Sequence, residues 1–209
     1  MLGTHDLLLF VVAGLLLSIT PGADTLYIVG RSASQGFRAG AIAAFGIATG
    51  CCVHILAAAL GLSALLYASA AAFTVMKIAG AIYLVWIGIA LLRDSGRDVA
   101  AARTFAADSA GKIFLQGFVT NVLNPKVAIF FLAFLPQFID RGTPNTAVAM
   151  LFLGLIFNLN GTLWNLAVAY GSARISRNIA GASLFARLSK RAAGGLFLFL
   201  GYKLATSEH

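Results

Sequence analysis

Ile19-Thr20-Pro21-Gly22-Ala23-Asp24 decides how this chain folds. The stretch lies about midway along an apolar run from Leu7 to Ile28. A proline inside a helix removes a backbone donor and clashes with the preceding turn. The residue before it is pushed out of the helical region. Thr20-Pro21 also has the form of a helix start, because Thr is a good N-cap and Pro suits the first helical position. One helix is therefore expected to stop here and another to begin, within a single apolar segment. Two residues past Gly22 stands Asp24, the only acidic residue in any apolar span of the chain. Broken helices with an ionisable group at membrane depth mark substrate and ion sites.

The totals set the solvent. Of the 209 residues 60% are hydrophobic and only 11% are charged, against about 25% charged in soluble domains. The mean hydropathy is +0.90. This is the composition of an integral membrane protein. At about 20 apolar residues per crossing, the length allows six transmembrane helices. The net charge of +8 fits basic cytoplasmic loops in a bilayer protein, and no nucleic acid partner is expected. The first apolar run has no basic residue before it and no small-residue cleavage site, so no removable signal peptide is expected. Cys51 and Cys52 are sequence neighbours. An unstrained disulfide between them is disfavoured, and both read as small buried apolar residues.

Six spans follow in order: Leu7 to Gly30, broken at Pro21; Gly40 to Tyr67; Phe73 to Leu92; Ile113 to Ile139, broken at Asn124-Pro125; Ala147 to Tyr170; and a short sixth from Ala192 to Ala205. A five-span arrangement with one re-entrant segment is the alternative. Residues 93–112 are the one long polar stretch and divide the chain into halves at 1–92 and 113–209. The links after spans one, three and five carry eleven Lys and Arg residues, against three on the other side. The positive-inside rule places those links in the cytoplasm, with both termini outside. A shift of 104 positions lays Thr20-Pro21 on Asn124-Pro125 and His54 on Asn158. Each half has three spans, so the second enters the membrane in the opposite sense. The result is a 3+3 inverted repeat of the kind found in secondary transporters.

The breaks imply a chemistry. Pro21 and Pro125 each fall about 20 Å into a span at 1.5 Å per residue, near the midplane. Helix starts expose unpaired N–H groups and bind carboxylates. Thr20 and Asn124 are the candidate caps, with Pro21, Gly22 and Pro125 shaping the breaks. Asp24 is the candidate receptor for an ammonium group, and for a proton that couples transport to the proton gradient. Lys126 lies in the first turn of the second half-helix, where a cation is disfavoured. It is expected to meet Asp24 or a substrate carboxylate. Each of these two residues also has a structural reading: Asp24 balancing its own helix start, Lys126 in a fixed buried pair. His54 is a further candidate for proton coupling, and Asn158 for substrate binding. Asn121, Asn160 and Asn165 either line a cavity or bond between helices. Tyr27 and Arg31 follow Asp24 on the same helix face, with Arg31 placed at the cytoplasmic mouth. Glycines 36, 40, 46, 50 and 61 are expected to allow close helix packing.

Two of these stretches resemble a known family. Thr20-Pro21-Gly22-Ala23-Asp24-Thr25-Leu26, with Ser34-Gln35-Gly36 and Ala39-Gly40, is similar to the first-helix signature of LysE/RhtB-type amino-acid exporters. Asn124-Pro125-Lys126, followed by Phe130 to Phe138, is similar to their fourth-helix signature. The resemblance covers essentially the whole chain. It implies a bacterial inner-membrane exporter of amino acids or their derivatives, driven by the proton gradient. The substrates it implies are basic residues, homoserine and threonine, or branched and other neutral amino acids. It also points to Pro21, Gly22, Asp24, Asn124, Pro125 and Lys126 as functional positions. One departure stands at Ala23, where the family usually has a second proline; a milder break is expected there.

Two other classes of function compete. An ion or metal exporter would need more ligands than one carboxylate. An intramembrane enzyme would need a nucleophile with its base or a metal set, and no HExxH or GxSxG motif occurs. No catalytic residue, metal or cofactor is expected. The expected partners are a small amino acid, protons and the lipid bilayer, and small-residue helix faces leave room for a homodimer.

Overall fold

The computed structural model describes residues 3–62, 105–140 and 142–174, with scattered helical positions between 75 and 93 and between 191 and 206. Most of spans three and six, the polar stretch up to residue 104 and the basic loop 175–190 lie outside the described residues. What is described is helical. A single antiparallel bridge, Thr4 with Ile139, is the nearest thing to a strand among the described residues.

Helix α1 runs Leu7–Ile19 and α2 runs Ala23–Gln35. Gly36, at φ 82°, turns the chain into α3, Phe37–Ala57, which ends in a π turn at Ala58–Leu62. Only glycine takes such a φ without strain. After the polar stretch, Ser109 caps α4, Ala110–Val122, by accepting from the Lys112 amide. Helix α5 starts at Pro125 and continues through a π turn and a 3₁₀ turn to Phe138. Helix α6, Thr146–Arg174, has 29 residues.

Two helical stretches, Phe37–Gly61 and Thr146–Arg174, are long and apolar enough to cross a membrane. Counting each bent pair, α1 with α2 and α4 with α5, as one span gives four among the described residues. Exposed Leu155, Leu159 and Leu163 recur every fourth residue along α6, a face suited to lipid tails.

Helices α3 and α4 touch through their backbones. A Cβ on Gly46 would strike the Phe114 carbonyl; one on Gly50 would come within 2.6 Å of the Phe118 carbonyl, and one on Gly117 within 2.6 Å of the Ala43 carbonyl. Gly40 packs equally closely against Ser32 and Ala169. Gly36 and Gly61, in contrast, face open space, so close packing is not the role of either. A Cβ on Gly88 would lie 2.9 Å from the Gly194 carbonyl, and one on Gly201 would lie 2.7 Å from Val85. The order of these contacts sets the described positions of the two stretches antiparallel.

The apolar core is aromatic. Phe130 and Phe157 stack at 4.6 Å, and Phe10 meets Phe138 edge-on at 5.2 Å. Phe130, Phe131, Phe134 and Phe138 are buried, while Leu132 faces outward. Packing, more than lipid exposure, explains that phenylalanine run. The N-terminus is clipped to the end of α5, with the His5 amide donating to the Phe138 carbonyl and the Asp140 amide to the Gly3 carbonyl.

Candidate functional site

The site is built on two interruptions. Between α1 and α2 the chain bends by 56°, and between α4 and α5 by 47°. A proline has no N–H, so the carbonyl four residues before it loses its helical partner. For Pro21 that carbonyl belongs to Leu17, and for Pro125 to Asn121. Both find donors elsewhere. Lys126 Nζ donates to the Leu17 carbonyl at 3.2 Å and to the Thr20 carbonyl at 3.0 Å. His54 Nε2 lies 2.9 Å from the Asn121 carbonyl. A carbonyl only accepts, so Nε2 carries the hydrogen. The ring of His54 stacks on Phe131 with centroids 6.2 Å apart.

For Lys126 the expected partners are Asp24 or a substrate carboxylate, and the structure bears on the first alone. Among the described residues no ion pair joins it to Asp24. Its ammonium sits instead at the end of α1, where unpaired carbonyls carry partial negative charge. The sequence reading overlooked that a broken helix offers carbonyls as well as amides. Gly22 makes room for it, since a Cβ there would come within 3.2 Å of Lys126 Nζ.

Asp24, in the first turn of α2, receives two amide donors on one oxygen. Asn121 Nδ2 lies 2.8 Å and Asn124 Nδ2 3.0 Å from Asp24 Oδ2. These donors fix which way both amides point, because a flipped amide would set oxygen against oxygen. Asp24 Oδ1 and Asn121 Oδ1 are then both buried with no hydrogen-bond partner among the described residues. Asn124 does two jobs, since its Oδ1 also accepts from the Lys126 amide at 3.0 Å and so caps α5. Pro125 occupies the first turn of α5.

Thr20 does not cap α2. Its hydroxyl donates back to the Leu16 carbonyl at 2.8 Å, a common use of Thr in the last turn of a helix. The N-cap of α2 is Gly22, which supplies no side-chain bond. Pro21 accordingly lies in the non-helical link and not at the first helical position. The opening amides of α2 carry no side-chain cap.

Asp24, Asn121 and Lys126 line one cavity of about 460 Å³, open mouth included. Asn158, Thr162 and Asn165 of α6 line it too, as do Ser18 and Thr25. Asn158 Nδ2 donates to the Ala48 carbonyl at 3.1 Å and contacts Cys52 Sγ at 3.5 Å. Thr20, Pro21, Gly22, Asn124 and Pro125 do not line the cavity; they shape or hold the groups that do. His54 is also set back from it, behind Asn121. Sequence leaves two roles open for Asn121, lining a cavity or bonding between helices. Its signal was available in Pro125, four residues on, which removes the helical donor of the Asn121 carbonyl and leaves it to the Asn124 amide at 2.9 Å and to His54.

A second polar cluster lies two turns along α2. Arg31 is 1% exposed and makes four hydrogen bonds. They go to the Tyr27 hydroxyl at 3.3 Å, the Ala106 carbonyl at 3.2 Å, Asp108 Oδ2 at 2.6 Å and Gln116 Oε1 at 2.6 Å. The guanidinium also lies over the Phe105 ring at 4.4 Å, within cation–π range. Tyr27 in turn donates to the Ile113 carbonyl at 2.9 Å. Arg31 is thus buried between α2, α4 and the end of the polar stretch, not free at a mouth. Lys112 donates to the other Asp108 oxygen at 2.6 Å. The bonds from Lys112 and from Arg31 hold the Asp108 carboxyl below the usual carboxylate range.

The profile of the LysE type translocator family matches residues 15–208. The chain is 33% identical over 205 residues to a homoserine/homoserine lactone efflux protein of Salmonella typhi, covering 96% of each chain. It is 26% identical over 197 residues to a leucine efflux protein of an Enterobacter species, covering 94% of this chain and 93% of that one. It is 30% identical over 204 residues to an uncharacterized membrane protein of Vibrio cholerae, covering 98% of each. No solved structure matches. Its apolar helices are those of a membrane protein, and the chain belongs to the LysE type translocator family.

Proposed function

We propose that this protein is a secondary active exporter of small neutral amino acids in the bacterial inner membrane, exchanging them for protons. The observation that carries the reading is the pair of orphaned acceptors, Asp24 Oδ1 and Asn121 Oδ1, on two residues that share a cavity with Lys126. Two acceptors, one of them anionic, suit the N–H groups of an ammonium. Lys126 has three N–H donors and spends two on the end of α1, which leaves the third for a carboxylate. The uncapped amides of α2 favour the same group. A zwitterion satisfies both poles. The substrates named for the two efflux relatives are an amino acid with its lactone in one case and an amino acid in the other, and they support the class.

Asp24 then takes the substrate ammonium and a proton in alternation, which gives the exchange. His54, the other candidate for proton coupling, holds the Asn121 carbonyl and so positions the residue whose amide donates to Asp24. The 3+3 inverted arrangement, with halves at 1–92 and 113–209, fits two interruptions 104 positions apart. The antiparallel runs around Gly88 and Gly194 favour it too.

The test is transport by Asp24→Asn in proteoliposomes with an imposed proton gradient. Asn matches Asp in size, so the variant is expected to insert and to melt within about 1 kcal/mol of the parent. Its exchange of amino acid is expected to fall to background. Full exchange by that variant would remove Asp24 from the mechanism.

A further inference from the structure

Helix α1 stops inside the protein with a negative end that its own residues do not answer. A helix C-terminus carries partial negative charge on its unpaired carbonyls, and the last turn of α1 holds no basic residue. Two of its carbonyls converge on one point. That of Leu17 has lost its helical donor to Pro21. That of Thr20 belongs to the C-cap, whose extended backbone (ψ 117°) takes it out of the helical ladder. Lys126 Nζ lies 3.2 Å from the first and 3.0 Å from the second. The charge that answers α1 therefore comes from a lysine 109 and 106 positions away, in the other half of the chain. Gly22 keeps the place clear, since a Cβ there would lie 3.2 Å from Nζ and 3.6 Å from Cε. The second break is served differently. Its orphaned Asn121 carbonyl takes N–H donors from Asn124 and His54, each bonding that one oxygen. At the end of α1 a single group bonds two oxygens at once, and that group is a cation.

Secondary transporters hold coupling cations on unwound carbonyls and half-helix C-terminal ends. We infer that the end of α1 is a monovalent-cation seat, formed by the Leu17 and Thr20 carbonyls, which this chain fills with its own tethered ammonium. Size and charge both fit. Contacts of 3.0 and 3.2 Å are ammonium hydrogen-bond distances. They exceed the about 2.0–2.6 Å at which magnesium and calcium take oxygen. Asp24 is the one carboxylate among the residues lining the adjoining cavity, too little negative charge for a dication. The free ligands that match the seat are ammonium, a primary alkylammonium, potassium and sodium. Because the lysine occupies it permanently, no dissolved cation is needed there. On the exporter reading above, exchange then requires neither sodium nor potassium.

The experiment empties the seat and refills it. Full-length Lys126→Ala in detergent is melted in the chlorides of choline, ammonium, methylammonium, potassium and sodium at one ionic strength. Choline has no N–H and a sheath of methyl groups, and serves as the inert salt. The variant is expected to melt below the parent in choline. Ammonium, methylammonium or potassium is expected to restore at least about half of that loss, with the saturable dose dependence of a bound ligand. Folding of the variant only when ammonium is present throughout purification counts as the same recovery. Adding Gly22→Ala to Lys126→Ala puts a methyl group in the seat and is expected to cancel it. No recovery in any salt, no difference between the salts and choline, or recovery that survives Gly22→Ala would overturn the seat. The parent decides the matter if Lys126→Ala folds in none of them. Its melting is expected to be the same in all five salts, and stabilisation by sodium or potassium over choline would show the seat open and overturn the inference. Exchange by the parent in proteoliposomes is expected to be equal in choline, sodium and potassium media. A requirement for either metal ion would overturn the filled seat and leave the exporter reading standing. Absence of exchange in every medium would overturn the exporter reading and leave the melting result to judge the seat.

Discussion

Asp24 and Arg31 sit two turns apart on the same helix, and their surroundings are opposite. Arg31 is sealed, with an ion pair, three further hydrogen bonds and an aromatic face engaged. Asp24 has both its donors on one oxygen and leaves the other without a partner. A buried charge is tolerated only when paired or hydrogen-bonded. Arg31 meets that requirement within the chain. Asp24 meets it by half, and an incoming ammonium would complete it. The first cluster has the character of structure and the second of a binding site.

The contrast can be challenged by substitution. The largest effect on stability is expected at Arg31→Ala, which takes a buried guanidinium from Asp108, Gln116, Tyr27 and the Ala106 carbonyl and removes the link between α2 and the start of α4. Each hydrogen bond lost from a charged group costs about 1.5–3 kcal/mol, and this variant loses four. It should appear as a large fall in the melting temperature of the detergent-solubilised protein. Arg31→Lys is expected to recover little, because one ammonium cannot reproduce the guanidinium fork. If Arg31→Ala melts like the parent, the cluster is not the structural anchor described here.

Next comes Gly46→Leu at the contact of α3 and α4, where the backbone allows no side chain. Overpacking of this kind costs about 1–3 kcal/mol or more, seen as thermal destabilisation. Gly61→Leu, in open space, is the matched control and should leave melting unchanged.

Lys126→Met tests whether one residue serves both roles. It leaves the Leu17 and Thr20 carbonyls unbonded, at about 1–3 kcal/mol per stranded buried group, and it also removes the carboxylate donor. A moderate fall in melting temperature together with loss of exchange is expected. Loss of stability with normal exchange would make Lys126 purely structural.

The smallest effect is on the acid limb. The Asp108 carboxyl lies below its ordinary value in the folded protein. Its contribution to stability is therefore full above the unfolded value near 3.8 and is lost as pH falls through the lower folded value. Asp108→Asn should flatten the melting temperature against pH below about pH 4. An unaltered acid slope in that variant would place the dependence elsewhere.

The sequence was most legible where the chemistry is local. Pro125 after Asn124 announced a capped start, and the cap is there, because the bond spans only two residues. Thr20 before Pro21 carried the same pattern and behaves otherwise, since the Leu16 carbonyl competed for its hydroxyl. Asp24 stood out as an acid within an apolar run. Its partners did not, because Asn121 and Asn124 lie 97 and 100 positions away. The partners of Arg31 and Lys126 were hidden for the same reason. A lone cation in an apolar helix shows that something must receive it, and only the fold shows whether that is an acid, an amide or a row of carbonyls.

The glycine contacts of α3 with α4 have a mechanical consequence. Where main chain rests directly on main chain, there is no intervening layer of rotamers to reshuffle. These two helices, one from each half, therefore form a fixed keel. An exporter of the kind proposed would need moving parts, and the segments beyond each bend are the ones expected to swing against this spine.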